Sequence, residues 1–383
     1  MAAKPATARP PSTQAYVGGK TVQFSNLGIP LTIDFLDFYS SYFTHGLFDA
    51  SNLFNHSFDF MDANYTTHQL VDAYFENFTP VWNDLMSNGK YSDACKVWES
   101  FALRIALYWE KDRHKSLHKG TPYYFLGVSK IAMDNLDEGL LLMHQALEED
   151  KRTLGVGHLT APAYLFVTLD YSRLGQFFYP RVKLASDYLD QHIEAYRKQR
   201  GGSLTLDDFK KRFLEEAALA EPVFYFVALL HRLVNFSQVI PKVKDNAIGS
   251  LDESGFLFSL SLVIDATLRN KDPNTKHVSL REFLIFLSQN CKPPLFISDA
   301  DLRQLSADFK NDFQNTVGDI LASRYSKSSV KLSYIEEDIA LVHGFRNFGA
   351  HRIERQPVVV ANFDSLLQRL ADVLFFAVEQ LYR

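Results

Sequence analysis

The sequence predicts an all-α protein: a solenoid-like N-terminal half of helical hairpins, followed by a helical bundle. Three observations carry that reading. Apolar residues recur at steps of three and four along much of the 383-residue chain, the spacing that lays them on one face of a helix. Ser and Glu stand three apart at Ser279/Glu282 and Ser333/Glu336, the pattern of a capping box that opens a helix. No segment sustains the apolar/polar alternation of a half-buried strand, so no convincing β-sheet is expected anywhere.

Composition narrows the function classes. The length suggests about two or three domains, and the 32 Phe imply large aromatic cores. A net charge of −5 means that any nucleic-acid site must be a local basic patch. Cys95 and Cys291 lie far apart with no CxxC, which argues against a disulfide framework or a Cys-based zinc site and for a reducing, cytoplasmic setting. No run approaches the roughly eighteen apolar residues of a membrane span, so no membrane partner is expected. Met1 to Thr13 is rich in Ala and Pro and lacks the apolar core of a signal peptide. Residues 1–15 therefore read as a disordered tail, with a transit peptide as the alternative.

Taken in order, Gly18-Gly19-Lys20-Thr21 looks like the end of a phosphate-binding loop. The full pattern needs Gly where Gln14 stands, and no strand signal precedes it, so the reading kept is a turn. From about Thr66 to Arg197 the pattern is helical, in pairs. Gly89-Lys90-Tyr91-Ser92-Asp93-Ala94, with Trp98 and Phe101 after it, resembles the second half of a tetratricopeptide repeat. Its companion helix carries Phe78, Val81, Trp82 and Leu85. A second unit places Tyr123, Leu126 and Gly127 on a first helix, and Gly139, Met143 and Ala146 on the next. Ala163 to Arg173 with Tyr179 to Tyr196 is a third, poorer pair, with Pro180 in the slot for a small residue. Residues 16–200 thus read as one repeat-like domain. Its helical face is a place for a protein, peptide or nucleotide ligand, and plain packed hairpins are the alternative.

Lys198 to Ser203 is polar, charged and holds a Gly pair, which marks a domain boundary. Residues 204–383 form the second domain. Helices are expected over Leu206 to Leu219, Val223 to Ile240, Gly255 to Arg269, from Ser279 to the Pro293-Pro294 stop, Asp299 to Leu321, and Phe363 to Leu381. Ser323 to Lys331 is a basic, Ser-rich loop without an acid. Its Arg324, Lys327 and Lys331 are candidate phosphate contacts, with a solvated connection as the alternative.

The segment after that loop matters most. Ile335, Ile339 and Val342 form an apolar stripe whose next position is Arg346. A charge on a buried helix face is costly unless paired or functional. Gly349 then offers a bend before His351, which brings an Arg and a His together at the mouth of a bundle. The same spacing occurs at Arg113 and His118, but in a polar connection, and there it is read as a coincidence.

Arg346-Asn347-Phe348-Gly349-Ala350-His351 resembles the R-x4-6-H motif of the HEPN superfamily, small α-helical bundles many of which are metal-independent ribonucleases. The resemblance covers roughly the last 130 to 180 residues. It implies cleavage of RNA by attack of the ribose 2′-OH on the adjacent phosphate, leaving a 2′,3′-cyclic phosphate and a 5′-OH. His351 would act as general base or acid. Arg346 would stabilise the anionic phosphorane through its planar donor fork. Asn347 would orient the phosphate or His351, and Arg352 would add an RNA contact. The resemblance further implies a homodimer through the C-terminal bundle and a role as a toxin or antiviral effector. No cofactor or metal is expected: HExxH, GxSxG and a clustered acidic set are missing from the sequence. His343 is read as structural, with a part in the site as the alternative. Glu337 and Asp338 are read as surface charges, with pairing to Arg346 as the alternative. The competing functional reading is a non-catalytic bundle that binds a nucleotide, an RNA or a partner protein.

Overall fold

The computed structural model describes residues 14–17, 20–23, 32–34, 51–76, 78–236, 247–325, 332–348 and 356–383. The fold is all-α, with one small departure near the N-terminus. Strands β1 (Gln14–Val17), β2 (Lys20–Gln23) and β3 (Thr32–Asp34) form a sheet in the order β2-β1-β3. β1 pairs antiparallel with β2, Val17 opposite Lys20, and parallel with β3. Strands of three or four residues are too short to leave a period-two signature, which is why no sheet was legible.

The chain divides into two compact units, residues 1–165 with 173–178 and residues 166–172 with 179–383. Unit 1 carries α1 (Ser51–Asn64), α2 (His68–Glu76), α3 (Thr79–Ser87), α4 (Tyr91–Lys96), α5 (Leu103–Arg113), α6 (Gly120–Ala132) and α7 (Leu136–Leu154). α8 (Pro162–Val167) spans the division. Unit 2 carries α9 (Tyr179–Arg200), α10 (Leu206–Phe209), α11 (Ala220–Val234), α12 (Ala247–Lys271), α13 (Leu280–Asn290), α14 (Asp299–Asn311), α15 (Phe313–Leu321), α16 (Tyr334–Phe348) and α17 (Pro357–Leu381).

Unit 1 is held by aromatic packing and one close helix crossing. Gly89 turns the chain at φ +70°, a left-handed conformation that a glycine adopts without strain. Trp82 and Trp98 are buried, and Trp98 stacks on Phe125 with ring centroids 4.8 Å apart. The Trp82 indole N–H donates to Ser129 Oγ at 2.7 Å, so its polar edge is satisfied inside the core. α6 and α7 cross where Gly127 faces Gly139. A Cβ on Gly139 would fall 2.3 Å from Ile131 Cγ1, so only glycine lets the two backbones come this close.

Unit 2 is a bundle around α12, α16 and α17. Ser279 and Glu282 form the expected capping box at the start of α13. The Asp299 to Leu321 stretch is two helices, not one. It breaks at Asp312, whose side chain accepts the Asn315 N–H and caps α15. The boundary expected at residues 198–203 does not separate the units. α9 packs into unit 2, where Arg200 pairs with Asp338 Oδ2 at 2.7 Å and with Asp372 Oδ2 at 2.8 Å. The third helix pair is divided for the same reason, α9 lying in unit 2 and most of α8 in unit 1. Ala217–Val234 is long and apolar enough to cross a membrane by length and composition alone. In the fold it serves as a core helix, with Val223, Val227, Leu230 and Val234 buried.

Candidate functional site

α16 presents the motif arginine. Every residue from Glu336 to Phe345 is buried, an unusual state for a helix whose first turns carry three acids. Each acid has a partner. Glu336 accepts the backbone N–H of Ser333 at 2.6 Å, the reach-back half of the expected capping box, and the N–H groups of Phe296 and Ile297 at 2.5 and 3.0 Å. Glu337 Oε2 takes Arg369 Nη2 at 2.9 Å. Asp338 takes Arg369 Nε and Arg200 Nη2. Thus Glu337 and Asp338 are neither surface charges nor partners of Arg346. They lock α16 to α9 and α17. Gly344 completes the seat: a Cβ there would lie 2.4 Å from the Phe309 ring of α14.

Arg346 emerges where the burial ends. The apolar stripe implied a buried arginine, but its side chain is 32% exposed. Its Nε donates to Asp265 Oδ2 at 3.2 Å, and its guanidinium lies 5.7 Å from the centroid of the Phe258 ring. Asp265, on α12, is buried, and Arg269 Nη2 lies 3.5 Å from its other oxygen. Arg346, Asp265, Arg269 and Asn270 share the wall of a cavity of about 420 Å³ with Leu219 and Pro222. Two guanidiniums around one carboxylate leave that wall net positive. A fork held by a carboxylate on one edge keeps donors free for a phosphate on the other.

Asn347 points elsewhere. Its Nδ2 donates to His343 Nδ1 at 3.0 Å and to the His343 carbonyl oxygen at 3.1 Å. The far side of His343 is fixed too. The Ser306 hydroxyl donates to the Leu302 carbonyl at 2.9 Å, so it accepts from His343 Nε2–H at 2.6 Å. This is a neutral imidazole, satisfied on both nitrogens. Burial, with the charge of Arg281 adding, pushes its pKa down to about 4. His343 is therefore a structural histidine, and Asn347 orients it in place of the phosphate contact expected from the motif.

His351, Lys327, Lys331 and Arg352 lie outside the described residues, and so does Gly349. Of the basic loop, Arg324 is described: it is 72% exposed and lies 3.9 Å from Asp319. Sequence reasoning missed Asp265, Arg269, Arg200 and Arg369, which reach α16 from other helices and leave no mark in local spacing. No group of three or more His, Cys, Asp or Glu among the described residues is arranged to hold a metal.

The second Arg-x4-His pair is not one site. Arg113, at the end of α5, forms a two-pronged pair with exposed Asp62 at 2.8 to 3.2 Å. His118 turns inward, is 3% exposed, and lines a cavity of unit 1 of about 540 Å³. Set against protein-family models, curated proteins and solved structures, the chain matches none.

Proposed function

We propose that unit 2 is a HEPN-like, metal-independent RNA endonuclease that works by 2′-OH transesterification, with unit 1 as its regulatory part. The observation that carries this reading is Arg346 itself. It stands at the end of a helix locked by buried ion pairs, partly exposed on a net-positive cavity wall with Arg269. A rigid, oriented guanidinium facing open space suits a site that must meet a phosphate whose charge grows in the transition state. His351 supplies the proton transfer, and Arg324, Lys327, Lys331 and Arg352 add contacts along the RNA backbone. One Arg-His set is sparse for this reaction, so a homodimer that brings two sets to one cleft belongs to the proposal. A toxin or antiviral role in the cytoplasm goes with it, by resemblance.

A non-catalytic bundle is the second reading, and a specific observation favours it. Arg346 already has an anionic partner in Asp265, and Asn347 is tied to His343. In that case the Arg346–Asp265 pair would be structural. One experiment separates the two. Purified protein is incubated with end-labelled single-stranded RNA in chelator, beside Arg346→Ala and His351→Ala variants whose folding is checked by circular dichroism. The nuclease reading requires cleavage by the wild type and its loss in both folded variants. Cleavage that persists in both variants sends the activity elsewhere in the chain.

A further inference from the structure

The cavity of unit 1 is built around charge that the fold leaves unmatched. Asp150, on α7, is 5% exposed and accepts no hydrogen bond among the described residues. Its ion-pair contact is with His118 Nε2 at 3.6 Å, beyond hydrogen-bond reach. The imidazole is fixed from behind. Thr153 Oγ1 donates to the Glu149 carbonyl at 2.7 Å, so it accepts from His118 Nδ1–H at 2.6 Å. The Nε2 edge therefore faces the carboxylates, with Asp72 Oδ1 at 3.2 Å. Thr121 Oγ1 donates to that same Asp72 oxygen at 2.8 Å. With both carboxylates ionised, even a doubly protonated imidazole leaves the trio net negative, and Glu76 lines the same wall.

The position of Asp150 is not an accident of loose packing. α6 begins at Gly120, and a Cβ there would fall 2.1 Å from Asp150 Oδ1 and 2.8 Å from the His118 ring. The backbone thus makes room for a carboxylate that accepts no hydrogen bond among the described residues. Its oxygens border the cavity, where a ligand's donor can reach them. The rest of the wall is apolar, with Tyr124, Phe125, Pro80 and Pro162. Its volume of about 540 Å³ suits a small molecule. Acidic groups repel phosphate, so the wall is poorly suited to a nucleotide, one of the ligands considered from sequence.

We propose that this cavity binds a small organic cation, an ammonium or guanidinium on an apolar or aromatic body, with its charged head on Asp150 and Asp72. The reading stands independently of the nuclease proposal, because it concerns unit 1 alone. The shared chemistry has two sources, a free amine or the basic side chain of a peptide, and we assign the free amine.

The test is calorimetric titration of the full-length protein with tyramine, agmatine and a short arginine-containing peptide, and with uncharged N-acetyltyramine as control. The expected result is saturable binding of tyramine or agmatine, weakened at least about tenfold by N-acetylation and by the near-isosteric Asp150→Asn change. Asp72→Asn serves as the second variant should Asp150→Asn fail to fold, and Asp265→Asn in unit 2 should leave binding unchanged. Binding of the peptide alone would overturn the assignment to a free amine. Absence of binding by every cation at millimolar concentration would overturn the site, as would equal binding of tyramine and N-acetyltyramine. Undiminished binding by folded Asp150→Asn or Asp72→Asn would do the same.

Discussion

The two units bury carboxylates in opposite ways. In unit 2, Glu337, Asp338 and Asp372 are at most 4% exposed, and Arg200 and Arg369 meet all three. In unit 1, Asp150 is 5% exposed, accepts no hydrogen bond among the described residues, has the His118 imidazole 3.6 Å away, and lines a cavity. The difference separates architecture from opportunity. A buried carboxylate cluster matched by arginines fixes how helices sit, because any rearrangement strands a charge. A buried carboxylate without an arginine keeps its demand for a donor, and a cavity beside it is where a ligand can meet that demand.

The comparison breaks most visibly if the cluster of unit 2 is not needed. Arg369→Ala would leave Glu337 and Asp338 buried with fewer partners, and the expected cost is about 3–5 kcal/mol. Chemical denaturation measures it, and a loss no larger than a surface substitution gives would mean that the cluster is incidental.

His343 sharpens the same point with a neutral group. Its pKa is lowered by burial from 6.5 to about 4, so between these values the unfolded chain takes up a proton that the fold excludes. Stability should therefore fall on acidification from about pH 7 to about pH 4, by on the order of 3 kcal/mol from this residue. Denaturation midpoints across that range, compared with His343→Gln, check it: the variant should show the shallower slope.

Asp150 should behave with the opposite sign. Burial raises its carboxyl from 3.8 to about 7, with the nearby His118 charge pulling the other way. The fold holds this proton more tightly than the unfolded chain does, so this residue's contribution to stability falls as pH rises from about 4 to about 7. Asp150→Asn removes that dependence. Its melting temperature relative to wild type should climb across the range. A flat difference would mean that Asp150 already has its partner.

Much of unit 2 was legible because it follows local rules. The Ser279/Glu282 box opens α13 as its spacing requires, and Ile339 and Val342 are buried where the stripe places them. What failed to show was long-range. Glu337 and Asp338 look like solvated charges in isolation, because their partners Arg200 and Arg369 belong to other helices. Arg346 was recognised, but its partner Asp265 lies 81 residues away. The cavity of unit 1 was passed over for a related reason. His118 sits in a polar run that reads as a connection, and only the fold brings Asp72 and Asp150 to it.

The chemistry of the cut RNA end tests the central proposal most directly. The measurement is the mass of fragments formed in chelator from two RNAs, one wholly ribose and one with a single 2′-deoxy residue at the cleaved position. Transesterification at Arg346 and His351 requires a 2′,3′-cyclic phosphate on the first RNA and no cut at that position of the second. A 3′-hydroxyl end, or cleavage of the deoxy-substituted position, would contradict it.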